Sequence, residues 1–307
     1  MPQVSVVIPT HNRAKFLRDA IASVLKQTFQ DFEVIVVDDA SSDHTRDVVG
    51  SFHDERIRYM RHENNKGGSA ARNTGILNSK CEYLAFLDDD DEWLPEKLDR
   101  QMELLLTSDP NVGVVYTGYL DVDAASGQVI GQQIPARRGN LSQHLWAENC
   151  VGSASSVLLK KDCLNRVGLF DESLPCSQDY DLWIRTAKEY LFECVQLPLF
   201  KYSVHENKIS TDTDARYRGL EIFQKKYDNS PLSKKYYSHV YVDLGITHCL
   251  GGDVKKGRKA FIRAISLSPF ESRGYINLCL SFLGPQKFAK AKDAARNLLA
   301  SIARDAR

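Results

Sequence analysis

The chain has 307 residues, 43% of them hydrophobic, which suffices for one large folded domain or for a core domain with an appendage. Lys and Arg total 40 and Asp and Glu total 40, so no global field draws in nucleic acid or an anionic membrane, and a nucleic-acid partner is not expected. The 7 cysteines are scattered without a CxxC pair, which speaks against zinc or a redox dithiol and fits reduced thiols.

The start, "MPQVSVVIPTHNR", lacks the basic stretch and apolar core of a leader, and no run approaches the roughly 18 apolar residues of a membrane span. A cytoplasmic protein is expected, at most peripheral to the inner face of a membrane. "VSVVI" (Val4 to Ile8) reads as a buried strand. "RAKFLRDAIASVLKQ" then places Leu17, Ala20, Ile21, Val24 and Leu25 on one helical stripe, with Asn12 available as its cap. "FEVIVV" and "RIRYM" are the next strands, "GSAARNTGILNS" a helix, and "YLAFL" (Tyr83 to Leu87) a fourth strand. Strand, helix, strand order implies an α/β fold with a mostly parallel sheet flanked by helices. Ligands of such sheets bind beyond the carboxyl ends of the strands. "PTHNR", "DDASSD" and "DDDD" stand at three such ends and should line one crevice.

After "VGVVYTGYLDVD" the alternation loosens through "SGQVIGQQIPARRGN", a surface excursion. "SSVLLKKDCLNRVGLFDESL" is a strand, a short helix and a Gly turn; "SQDYDLWIRTAKEY" is a helix; "LFECVQLPLFKYSVH" reads as edge strands interrupted by Pro198. Beyond about residue 230 the tail is helical. "HVYVDLGITHCLGGDVKKGRKAFIRAISLSPF" resembles one tetratricopeptide unit, with Leu244, Gly245, Phe261, Ala264 and Pro269 at its small and apolar positions, and Tyr275, Leu278 and Ala291 hint at a second copy. One such unit cannot bury both faces, so it should dock on the main domain, on a protein partner or on a second copy of the chain.

Four adjacent aspartates, Asp88 to Asp91, repel one another unless solvent or a hard divalent cation compensates them. Composition alone leaves two readings open, a metal site or a solvated acidic turn leading into a helix. Asp38 and Asp39 should share the same rim, with Lys66, Arg72 and the Gly67–Gly68 backbone nearby, a combination that suits a diphosphate. Neither GxGxxG nor a Walker-type GK[ST] is present. Trp93 and Trp183 read as core, and Trp146 as the more exposed candidate for stacking on a sugar.

Taken together and in order, "VSVVIPTHNRAKFLRDAIASVLKQTFQDFEVIVVDDASSD", "NNKGGSAARNTG", "LAFLDDDDEWLPEKL", "VGLFDESL" and "QDYDLWIR" resemble a family 2 glycosyltransferase of the GT-A fold over about residues 1 to 225. The resemblance implies an inverting, metal-dependent transfer of sugar from a nucleotide-diphosphate donor, UDP being the commonest, to a carbohydrate or lipid-linked acceptor of surface polysaccharide or glycolipid synthesis. It divides the chain into a GT-A domain over 1–228, with a nucleotide-sugar half (1–119) and an acceptor half (120–228), and a helical region over 229–307.

By the same resemblance, Asp88 and Asp90 are the DxD pair, Asp90 being the direct ligand of Mn²⁺ or Mg²⁺. Asp89 fills the variable position on the donor side, and Asp91 supports the metal. Asp39 contacts the nucleobase, with Pro9, Thr10 and Asn12 as the pocket wall and Asp38 as a structural or ribose neighbour. Lys66 and Arg72 offset diphosphate charge, although Arg72 could equally brace the aspartate loops. His205 lies near metal or phosphates, or makes an ordinary structural hydrogen bond. Asp179 stands where the family has its catalytic base; without the resemblance it reads as a helix cap. Gln178 replaces the glutamate that usually precedes the base, keeping hydrogen bonding and losing a charge. Two other readings are an idle sugar-nucleotide scaffold, which Gln178 encourages, and a nucleotidyltransferase, which would release pyrophosphate.

Overall fold

The computed structural model describes residues 2–205, 212–227 and 230–294, so that 206–210 of "KYSVHENKIS" and 295–307 of the tail lie outside the described residues. It contains two compact units, Met1–Asn207 and Lys208–Arg307. The division falls ahead of residue 228 because α7 (Thr213–Lys226) packs with the helices that follow it: the Tyr237 hydroxyl donates to the Phe223 carbonyl, and the Tyr217 and Tyr241 rings meet edge-on at 5.5 Å.

In the first unit β1 (Val4–Thr10), β2 (Phe32–Asp38), β3 (Ile57–Arg61) and β4 (Tyr83–Phe86) are parallel neighbours. The β-branched runs of β1 and β2 are buried throughout, as a strand covered on both faces requires. Leu17, Ala20, Ile21 and Val24 of α1 (Ala14–Leu25) and Leu98, Met102 and Leu105 of α4 (Lys97–Thr107) cover one face of the sheet with Val4, Val6 and Ile8. The other face is closed by α3 (Gly68–Asn78). A Cβ on Gly75 would sit 2.3 Å from Val7 Cγ1, so glycine is what lets this helix lie against β1.

The first four strands follow the parallel pattern read from the sequence; the second half mixes directions. With β5 at Glu92–Trp93 and β9 at Leu191–Val204, β8 (Val157–Lys160) enters antiparallel between β4 and β6 (Val112–Asp123), giving the order β3-β2-β1-β4-β8-β6-β9-β5 among the described residues, with β7 (Val129–Gln133) as an exposed hairpin partner of β6. The chain reaches β8 through the 120–155 excursion rather than a crossover helix, which permits the antiparallel entry. β9 (Leu191–Val204) is one strand rather than interrupted edge strands. Its register against β6 shifts on either side of Gly118, the partner of Pro198, and that irregularity absorbs the missing N–H. Beyond it, Phe200 and Lys201 also pair with β5 (Glu92–Trp93).

In the second unit α7 is capped by Asp212, α8 (Pro231–Leu250) by Ser230 with Pro231 in its first turn, and α9 (Val254–Leu267) by Asp253; α10 (Ser272–Ser281) follows, and 285–294 are helical. Leu244, Gly245, Phe261 and Ala264 are buried together as the repeat spacing suggests. A Cβ on Gly245 would lie 2.4 Å from the Phe261 ring. Among the described residues no helix is long and apolar enough to cross a membrane.

Candidate active site

The strand register sets the site. Thr10 is level with Asp38 at the ends of β1 and β2, the Asp39 amide donates to the Thr10 carbonyl at 2.8 Å, and the Leu87 amide donates to Val7 at 3.1 Å. The polar clusters after β1, β2 and β4 therefore emerge side by side. The three non-glycine residues with left-handed backbone among the described residues are Asn12 (φ 54°), Ala40 (φ 62°) and Ser177 (φ 57°), and all three lie beside the candidate site residues. Backbone strain of this kind gathers where geometry serves a site. It also redirects Asn12: its Oδ1 accepts from the Ser42 amide at 2.7 Å instead of capping α1, and Asp43 accepts from Ala14 N at 3.0 Å in its place.

Asp39 is buried and organises the loop after β3. Its Oδ1 accepts from Lys66 N at 2.8 Å and meets His62 Nδ1 at 2.7 Å, while Oδ2 accepts from Gly67 N at 2.7 Å. A carboxylate has about four acceptor positions, so these three bonds leave room for one further donor. Asp38 accepts from Ser41 N and from the Tyr59 hydroxyl, which fastens the end of β2 to β3. The Lys66 side chain is exposed.

The acidic loop is held by cations and hydroxyls. Arg13 Nη1 reaches Asp90 Oδ2 at 2.7 Å and Asp89 Oδ1 at 3.2 Å, and His205 Nε2 lies 2.8 Å from the same Asp90 oxygen, its ring stacked on Phe16. Asp89 is 6% exposed, and burial pushes its carboxyl up to about 7, with Arg13 and the Thr10 hydroxyl pulling it back. Asp91 is buried and accepts from the Ser155 hydroxyl at 2.7 Å and from Ser203 N at 3.1 Å. Ser155 also receives the Asp88 amide, and its carbonyl accepts from Trp93 Nε1. Asp91 thus fixes the loop against β8 and β9.

Asp179 lies in the first turn of α6 (Gln178–Thr186), half-buried, with Oδ1 accepting from Tyr180 N at 2.7 Å. Burial pushes its carboxyl up to about 6, opposed by that amide and by Arg72. Arg72 joins the two halves of the site: Nη2 donates to Asp88 Oδ1 at 2.5 Å and Nη1 to Gln178 Oε1 at 3.2 Å. Burial works against its charge, and Asp88, Asp179 and Asp89 outweigh that, raising its pKa. Gln178 also donates to the Leu174 carbonyl at 3.0 Å, so the position keeps both hydrogen bonds while placing no second negative charge beside Asp179.

Among the described residues no three His, Cys, Asp or Glu side chains form a ready metal cluster. The chemistry of Asp88, Asp90 and His205 nevertheless suits a hard divalent cation, which is commonly held by one or two carboxylates while substrate phosphates complete its coordination. Asp91 is committed to Ser155 and Ser203. The sequence reading missed Arg13 and His62. The juxtaposition of "THNR" and "DDDD" at neighbouring strand ends carried a signal for Arg13; a lone histidine after β3 carried none. Trp93 and Trp183 are core residues bonded to the Ser155 and Gly152 carbonyls, and Trp146 is half-buried in a 3₁₀ turn.

The family model described as glycosyl transferase family 2 matches residues 5–161. The chain is 29% identical over 259 residues to the Escherichia coli UDP-Glc:alpha-D-GlcNAc-diphosphoundecaprenol beta-1,3-glucosyltransferase WfgD, covering 83% of this chain and 98% of that protein. An uncharacterized glycosyltransferase of Rickettsia felis is 36% identical over 190 residues, covering 60% of this chain and 31% of that longer protein. Among solved structures, S. aureus TarS 1-349 in complex with UDP superposes with a TM-score of 0.63 at 18% identity, covering 96% of this chain and 91% of that one. The mannosyltransferase PcManGT of Pyrobaculum calidifontis, in complex with GDP-Man and Mn²⁺, superposes with a TM-score of 0.60 at 16% identity, covering 90% of this chain and 78% of that one. The fold shared with these neighbours is the GT-A fold.

Proposed function

Because the chain belongs to glycosyl transferase family 2, we propose that this glycosyltransferase moves a sugar from a UDP-linked donor to a hydroxyl of a lipid-linked or polysaccharide acceptor, with inversion at the anomeric carbon. Support for the acceptor class comes from the E. coli relative, and for the donor from the UDP-bound neighbour. The observation that carries the reading is the position of Arg72 between Asp88 of the acidic loop and Gln178 beside Asp179.

On this reading Asp39 receives the nucleobase N–H in its remaining acceptor direction, with Pro9, Thr10 and Asn12 beside it and Asp38 holding the strand end. Lys66 offsets diphosphate charge. Arg72 keeps the donor and base sides in register and holds Asp179 ionised. Asp179 takes the proton of the acceptor hydroxyl, whose oxygen bonds to the anomeric carbon as the nucleoside diphosphate leaves from the opposite face. Asp90, with Asp88 and His205, would hold Mn²⁺ or Mg²⁺, braced by Asp91; the cation supplies charge neutralisation for the departing diphosphate. Donor recognition is assigned to 1–119 and acceptor recognition to 120–228.

Thermal denaturation of the full chain with UDP, GDP, CDP or ADP, each with Mn²⁺ or Mg²⁺, tests the donor assignment. UDP with metal should stabilise the fold by about 2.7 kcal/mol at a hundredfold excess over its Kd. Stabilisation by another base and not by UDP, or by none of the four, overturns it.

A further inference from the structure

We propose that the C-terminal helical unit carries a second binding site, a pocket formed by α7, α8 and α9 that takes one carboxylate-bearing sugar ring. The pocket has a volume of about 290 Å³ and is lined by Tyr217, Gln224, Tyr241, Arg263 and Leu267, together with the exposed Glu221 and Lys225. Ligand pockets start near about 300 Å³, so this one admits a single ring rather than a chain.

Its polar groups are under-used. Tyr241 is 1% exposed, yet its hydroxyl reaches Gln224 Oε1 only at 3.5 Å; Arg263 Nη2 shares that oxygen at 3.4 Å, and Gln224 Nε2 is buried without a partner among the described residues. Both bonds stand at the long limit for hydrogen bonding, whereas the helix caps of the same unit bond at 3.0 to 3.2 Å. Exchanging Oε1 and Nε2 of the amide would turn a donor toward Arg263, so the orientation is fixed by its neighbours. The buried Tyr241 hydroxyl and the Gln224 amide, held by these long contacts, leave room for a stronger acceptor beside the exposed Arg263. A carboxylate takes short charge-assisted bonds from Arg263 and Tyr241 and releases the Gln224 amide to turn its donor inward.

The rest of the lining selects a sugar. The Tyr217 ring, edge-on to Tyr241 at 5.5 Å, and Leu267 offer apolar surface to the C–H face of a pyranose. Glu221 accepts from ring hydroxyls, while Arg263 and Lys225 keep the pocket net positive. A peptide carboxyl terminus offers Glu221 one amide donor, where a sugar ring offers several hydroxyls. All these residues lie between 217 and 267, and none belongs to the candidate active site, so the inference stands or falls independently of the transfer reaction.

Calorimetry on the full chain, with and without saturating UDP and Mn²⁺, tests it with glucuronate, glucose and N-acetylglycine as probes. Glucuronate should bind in both conditions, and Arg263→Met and Gln224→Leu should each weaken it at least tenfold with the melting temperature unchanged for Arg263→Met, an exposed position. The proposal is overturned if glucuronate fails to bind, is displaced by UDP, or binds both variants as tightly as wild type. It is equally overturned if glucose or N-acetylglycine binds as well.

Discussion

Replacing Asp89 by asparagine should stabilise this protein at neutral pH. In the fold, burial pushes the Asp89 carboxyl from the ordinary 3.8 up to about 7. Between those two values the folded state keeps a proton that the unfolded state has lost, so stability falls as pH rises through the window and levels off above about 7. A window about three pH units wide, at about 1.36 kcal/mol for each, sets a ceiling near 4 kcal/mol, and the span from pH 5 to pH 7 accounts for roughly 2 to 3 kcal/mol. The asparagine side chain fills the same volume and cannot ionise, and Arg13 would keep its 2.7 Å contact with Asp90. Urea unfolding of wild type and Asp89→Asn at pH 5, 6, 7 and 8 reads the effect directly. The difference should grow in favour of the variant with rising pH and then flatten. Parallel profiles, or a wild type that gains on the variant as pH rises, would refute the reasoning, because the second result is what a carboxylate stabilised by Arg13 would give.

Three other substitutions probe the site and the fold. Asp179 is held near 6 by burial against the pull of Tyr180 N and Arg72, so kcat/KM for transfer should climb through about pH 6; Arg72→Met should move that limb to higher pH in a pH-rate profile. Asp91→Ala strands the Ser155 hydroxyl and Ser203 N, and chemical denaturation should show a loss of about 1 to 3 kcal/mol. Gly245→Ala drives a Cβ to 2.4 Å from the Phe261 ring and should cost about 1 to 3 kcal/mol, with faster hydrogen exchange confined to α8 and α9.

The parallel half of the sheet was legible because β1 and β2 are nearly continuous β-branched runs and α1, between them, carries a clean apolar stripe. The site was legible for the same reason: "PTHNR", "DDASSD" and "DDDD" follow directly on those strands. The antiparallel entry of β8 was not, since four residues of "VLLK" look alike in either direction and the preceding excursion has no period. Asn12 was misjudged as a cap because its left-handed backbone, which turns the side chain to Ser42, leaves no mark in composition. Aspartates that look alike in "DDDD" divide by environment: Asp88 toward Arg72, Asp89 and Asp90 on Arg13, Asp91 in a nest of serines.

The steady-state transfer rate of Asp179→Asn from UDP-sugar tests the central claim most directly. A positioned general base contributes about 10²- to 10⁴-fold, so the variant should lose that much in kcat while calorimetry shows UDP binding unchanged. Turnover at the wild-type rate would contradict the assignment of Asp179 and, with it, the reading of this cleft as the place where the acceptor is activated.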